Sequence, residues 1–366
     1  MTDDLRRLTA LLSAAGGRDA PPAADCDAAA IAAAADAHGV SALLWTALAG
    51  VGGAEAVRDA LTPAARAAAA LDVFARRELE ATLAALSAAG VRALVVKGAA
   101  LAYTVYADAW LRPRTDADVL VAPGEAAAAV DALERRGYRR TDALTSGQLV
   151  SHQLAFERSD DHGVRHVVDL HWKIVNPQML SGALPFDTLW GAALPAPLLG
   201  PAARVPAPAA SLAIAAVHRL AHHQGHERLI WLYDVAMLVR QFDDRQWAQL
   251  TALSVERGIA GLCLDALARA RDLIGSALPP GVEAALSHAA PGEPSRAYLA
   301  GAVRKRDVLL SDLSVLDWRS RLRLLREHAF PPAAFIRTRY RRHRRWPLAA
   351  LYLHRLVSGA ARWVRP

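Results

Sequence analysis

Apolar positions recur at helical spacing along most of the chain. Near the N-terminus Leu5, Leu8, Leu11 and Leu12 share one helix face, and an alanine-rich run over 61–89 extends the pattern with the residue type that most favours helix. The texture changes at Val91. Residues 91–96 are a short apolar run with β-branched side chains, and Lys97, Gly98 and a helical pattern through Tyr106 follow, which predicts strand, tight turn and helix. A second short run, 116–122, precedes Pro123, Gly124 and a helix over 125–136 that Gly137 ends. Two more strands are predicted at 153–158 and 166–172, joined by the turn-rich residues 159–163. Strands alternating with helices indicate α/β architecture.

Five prolines and Gly200 within 195–208 predict a stiff connector. Helical spacing then returns over 209–242, 244–257, 259–273 and 303–327, with Trp231, Leu232 and Leu238 reading as core, and no internal repeat is present. The predicted organisation is a helical N-terminal segment (1–90), an α/β core (91–194), the connector (195–208), a helical domain (209–330) and a basic amphipathic tail (331–366). A chain of 366 residues exceeds one ordinary domain and can bury a sizeable core.

Composition narrows the class. With 53% hydrophobic and 22% charged residues the chain reads as globular rather than disordered. The net charge of +7 is unevenly placed: from Trp318 onward there are thirteen arginines and one acid, Glu327, while the rest is mildly acidic. Of 43 basic residues only Lys97, Lys173 and Lys305 are lysines. Cys26 and Cys263 match no metal or redox spacing, so a zinc site or disulfide framework is not expected. The N-terminal MTDDLRRLTA lacks a signal-peptide layout, and the uncharged stretches 37–54 and 188–203 are broken by His, Gly or Pro. The expected location is the cytoplasm.

The candidate chemistry lies in the carboxylates. Asp116 and Asp118 are two apart in a strand-like run, so their side chains share a face, and two converging negative charges call for a cation such as Mg²⁺. Asp169, between Val168 and Leu170 in a later strand, could supply a third acid. Alone, the pair also reads as the solvated start of a strand after Pro113, and Asp169 as a local partner of His166 or His171. Lys97 and Gly98 occupy a strand-to-helix turn, where backbone N–H groups and the helix dipole favour phosphate.

The segment VVKGAALAYTVYADAWLRPRTDADVLV, followed by ALERRGY and VVDLHW, resembles the uncharacterised nucleotidyltransferase family of the polymerase-β-like superfamily. HRLAHHQGHERLIWLYDVAML and, more loosely, FPPAAFIRTRYR extend the likeness over 91–340. The resemblance implies an α+β or α/β nucleotidyltransferase fold with a small mixed-sheet core, in which Asp116 and Asp118 bind Mg²⁺ or Mn²⁺, Asp169 completes an acid triad and Gly98 contacts the triphosphate of an NTP. The implied reaction moves a nucleotidyl group to an acceptor hydroxyl. Many members of the wider superfamily have Gly or Ser after the glycine, whereas Ala99 stands here, so a hydroxyl contact is missing and Lys97 is the candidate replacement charge. A catalytically inactive nucleotide- or phosphate-binding module is the competing expectation.

Arg112 and Arg114 flank the loop into the acid pair. They are candidate bidentate phosphate ligands, or else ion-pair partners of Asp108 or Asp116. His218, His222 and His226 recur at four-residue spacing, with His223 beside them and Asp234 further on, and predict a polar wall against nucleotide or substrate, or a structural network. No HExxH and no HD pair is present, and neither Ser211 nor Cys263 sits in a nucleophile motif. Arg337, Arg339, Arg341, Arg342, Arg344 and Arg345, interleaved with Tyr340 and His343, precede a Leu-, Trp- and Tyr-rich end. This tail predicts contact with an anionic membrane surface, at its inner face, or with another polyanion, unless it is a solvated cap. No recognised nucleic-acid module accompanies it.

Overall fold

In the computed structural model of the chain the residues described are 3–14, 27–141, 149–222, 227–299, 305–343 and 345–364. Four helices come first: α1 (Asp3–Ala14), α2 (Ala28–His38), α3 (Ser41–Ala47) and α4 (Glu55–Ala88). Asp27 starts α2 by accepting N–H bonds from Ala29 and Ala30, and Gly39, at φ 71, ends it by bonding back to Ala35 and Asp36. The alanine-rich run makes α4 a single 34-residue helix.

The α/β unit then follows as β1 (Ala93–Val96), α5 (Lys97–Ala102), β2 (Ala117–Val121), α6 (Ala126–Arg135), β3 (Arg139–Arg140), β4 (Gln153–Ser159) and β5 (Arg165–His171). The strands order as β1-β2-β5-β4-β3. Only β2 and β5 run parallel; the other pairs are antiparallel. The sheet is therefore mixed, as expected from the sequence, and its parallel pair brings two separate chain segments to a common end.

Alternation along the strands gives the sheet two apolar faces. Val95, Val119, Val121, Phe156 and Val168 pack with Leu133 of α6 and with Leu79, Leu83 and Leu86 of α4. Leu94, Val96 and Leu120 face the other way, into a cluster that runs from Leu8 of α1 to Tyr298. That cluster takes in the N-terminal helices together with α9 (Pro208–His222), α10 (Leu229–Val239), α11 (Asp244–Glu256) and α12 (Ala260–Ile274), which follow two short helices, α7 (Gln178–Ser181) and α8 (Phe186–Gly191). The first and fourth predicted segments thus share one core.

Three further details differ from the sequence pattern. The proline-rich stretch is folded rather than extended: β6 (Leu194–Pro195) pairs with β7 (Arg204–Val205), and Leu199 and Val205 are buried against the sheet. A helix not foreseen, α13 (Pro280–Ala289), follows α12, and Leu286 anchors it in the core. The helical pattern over 303–327 divides into α14 (Lys305–Val315) and α15 (Trp318–Ala329), because Asp317 accepts from the N–H groups of Arg319 and Ser320 and starts a new helix. Then come α16 (Ala333–Arg339) and α17 (Leu348–Val364).

Candidate active site

The site forms where β1 ends and β2 begins, beside the later half of β5. Asp118 and Asp169 are register partners on the parallel strands, and the two-residue period puts His171 on the same face as Asp169. His171 Nε2 lies 2.7 Å from Asp118 Oδ1. Gln153, from β4, donates through Nε2 to Asp169 Oδ2 at 2.7 Å. Lys97 opens α5 at φ 55, the only positive φ of a non-glycine residue among those described. That left-handed turn is costly for a side-chain-bearing residue. Lys97 Nζ donates to Asp118 Oδ1 at 2.7 Å and lies 3.4 Å from His171 Nε2. It sits on the acids, at the floor of the cleft.

These charges reset one another. Burial alone would raise Asp118, but the Lys97 ammonium and the hydrogen bond with His171 outweigh it and hold the carboxyl far below the ordinary carboxylate range. Asp169 is pushed up to about 6, by burial first and then by the negative charges of Asp118 and Asp116. Asp116, one residue ahead of β2, is raised for the same reasons, burial and then Asp118. Burial and the neighbouring ammonium lower His171 and keep the imidazole neutral. Asp118, Asp169 and His171 each present a ligand atom, and these atoms lie within 4.8 Å of one another. Two hard carboxylate oxygens beside a neutral imidazole nitrogen fit a divalent cation. Asp116 is outside that group of three, close enough for its charge to be felt.

Both loop arginines have partners the sequence did not suggest. Arg112 grips Asp234 of α10, with Nε 2.8 Å from Oδ1 and Nη2 2.8 Å from Oδ2, and the Tyr106 hydroxyl donates to the same carboxylate at 2.7 Å. Its Nη1 donates to the Pro113 carbonyl. Arg114 donates to Asp72 of α4 at 2.7 Å and bonds the Tyr103 hydroxyl. Neither hydrogen-bonds Asp108 or Asp116, although the Arg112 charge reaches Asp116. Gly98 lies beneath the Arg112 guanidinium, where a Cβ would fall 2.9 Å from Nη2, so glycine is needed for close approach.

A cleft of about 760 Å³ opens over this arrangement. Lys97, Gly98, Asp116, Asp118 and Asp169 form its floor, α2 to α4 one wall, and His218, Arg228 and Trp231 the other. Arg228 donates through Nε to the Ala37 carbonyl, stands 6.0 Å from the Trp231 ring centre and has no carboxylate in ion-pair range among the described residues. Burial, followed by repulsion from Arg112, lowers its pKa. Of the predicted histidine face, His218 lines the cleft and His222 ends α9. His223 and His226 lie outside the described residues. Sequence spacing pointed to neither Arg228 nor Trp231 as site residues; the signal available was their place inside HERLIW.

The model of the family described as uncharacterised nucleotidyltransferase matches residues 24–275, more than half of the chain. The protein belongs to this nucleotidyltransferase family. No curated protein matches the chain in sequence. The family match begins and ends earlier than the likeness read over 91–340. It takes in α2 to α4, which wall the cleft, and stops at the glycine that ends α12, so FPPAAFIRTRYR and helices α13 to α17 fall beyond the nucleotidyltransferase match.

Proposed function

We propose that the protein transfers a nucleotidyl group from an NTP to an acceptor hydroxyl, with Asp116, Asp118 and Asp169 as the catalytic acids. The observation that carries this reading is the meeting of Asp118 and Asp169, in register on parallel strands, on the floor of a cleft whose wall holds the Arg228 guanidinium. Asp118 and Asp169, with Asp116 and His171 beside them, would hold Mg²⁺ or Mn²⁺. Such a cation, when bound, neutralises the triphosphate and the leaving pyrophosphate.

The chain's own groups supply the rest. Gly98 lets the Arg112 guanidinium lie over the start of α5, at the edge of the cleft, and Arg228 on the opposite wall offers positive charge to the triphosphate. Trp231 offers a ring face for the base. Asp169, on the cleft floor in register with Asp118, positions the acceptor hydroxyl and takes its proton as the new bond to phosphorus forms. The acceptor oxygen forms a bond to the α-phosphorus, the bond from that phosphorus to the bridging oxygen breaks, and pyrophosphate leaves with the electron pair. Lys97, by pairing with Asp118, keeps that acid ionised.

Calorimetric titration with a non-hydrolysable NTP analogue tests the reading. Binding is expected to require Mg²⁺ or Mn²⁺ and to lose that requirement, along with affinity, in Asp118→Asn. Tight binding without divalent cation, unchanged in the variant, would favour the inactive phosphate-binding module instead.

A further inference from the structure

Helices α15 and α17 turn apolar side chains outward. In α15, Trp318, Leu322 and Leu325 recur along one face and are exposed, Trp318 by 65% and Leu322 by 60%, whereas Leu324 is the helix's buried residue. A surface helix ordinarily buries such a stripe. Arg319, Arg321, Arg323 and Arg326 flank it and are exposed, and the Arg319 guanidinium stands 5.2 Å from the Trp318 ring centre. In α17, Leu353, Leu356 and Val357 form a second exposed stripe while Leu351 is buried. Between the two helices Arg337, Arg339, Arg342, Arg345 and Trp346 are exposed.

The single acid of this region points inward. Glu327 Oε2 accepts the backbone N–H groups of Leu149 (2.8 Å) and Val150 (3.1 Å), just before β4. The other Glu327 oxygen accepts from Arg323 Nε at 3.0 Å, so the outer surface is left with the remaining arginines and exposed apolar groups. The module lies beyond the residues matched by the nucleotidyltransferase family. Among the described residues no helix is long and apolar enough to cross a membrane.

We propose that α15 to α17 seat the protein on an anionic lipid bilayer, arginines at the headgroups and the Trp318, Leu322 and Leu353 side chains in the acyl boundary. Charge complementarity selects an anionic surface, and the apolar stripes between the arginines select a bilayer over a nucleic acid, whose phosphates alone would leave those stripes exposed to water. The attachment is peripheral and reversible, and it weakens with salt.

Vesicle flotation of the full-length protein tests this with phosphatidylcholine alone and with about one-third phosphatidylglycerol added. The protein floats with the anionic vesicles at low salt and stays behind with the neutral ones. Leu322→Glu with Leu353→Glu, both at exposed positions, lowers the floated fraction by roughly fivefold or more while the thermal midpoint stays unchanged. Equal flotation with both vesicle types would overturn the proposal. So would undiminished flotation of the double variant, since a purely electrostatic contact with any polyanion would then suffice, or loss of self-association in the variant without vesicle binding by the parent protein.

Discussion

Asp118 and Asp169 sit side by side on adjacent strands, yet their surroundings act on them in opposite directions. Asp169 titrates at about 6, above its ordinary value, so its ionisation opposes folding: that stability is present below about pH 4 and lost as the pH rises through 6. In protein freed of divalent cations, Asp169→Asn therefore raises the thermal midpoint at about pH 8, by the equivalent of roughly 1–2 kcal/mol, and the gain vanishes near pH 4. Asp118 is depressed by Lys97 and His171 despite its burial, so its stabilisation holds above the ordinary carboxylate range and is lost as the pH falls. Asp118→Asn removes the counter-charge of a mostly buried ammonium and lowers the midpoint at the same pH. A scanning calorimeter reads both, and a shared sign for the two variants at about pH 8 would contradict this electrostatic picture. The acids were legible in the sequence because a two-residue period and two ordered motifs fix their face. The pairing of Asp118 with Lys97 was not, since it depends on a left-handed turn that no residue pattern announces.

At the scale of elements, the loop between α5 and β2 is pinned from both sides. Arg112 ties it to α10 through Asp234 and Arg114 ties it to α4 through Asp72, each a largely buried ion pair. Removing one partner of such a pair leaves an uncompensated charge, which costs on the order of 3–5 kcal/mol. Arg112→Ala and Asp234→Ala are each expected to lower the unfolding midpoint in urea, and the double variant to fall well short of their sum; additive losses would mean that the pair acts independently. Gly98→Ala crowds the same guanidinium and is expected to weaken NTP-analogue binding more than it weakens folding, as titration beside thermal melts would show. The loop's arginines stood out in the sequence, but their partners did not. Asp234 lies 122 residues beyond Arg112, and only the tertiary fold brings α10 to this loop. The strands and most helices were legible from periodicity, whereas β3, with two residues, and the folding of the proline-rich stretch depend on tertiary contacts.

Across the whole molecule, one apolar cluster joins the N-terminal helices to α9 through α13, and the cleft lies between those two groups. A fragment of residues 209–299 would expose the half of that core which α1 to α4 cover, so it is expected to lack a cooperative melt in circular dichroism; a sharp transition would show an independent domain. The same closure explains why Arg228 and Trp231 escaped the sequence reading: they become cleft residues only when α10 packs beneath α2. Arg228→Ala and Trp231→Ala are expected to raise the NTP KM about tenfold or more with a smaller effect on kcat, measured as pyrophosphate release. The most direct test follows the label itself. The protein is incubated with divalent cation, a pool of cell extract and either α-³²P- or γ-³²P-labelled NTP. Label from the α-position is expected to appear on an acceptor, label from the γ-position to leave as pyrophosphate, and Asp118→Asn to abolish the transfer. Retention of γ-label on the acceptor, or undiminished α-label transfer by Asp118→Asn, would contradict nucleotidyl transfer at this site.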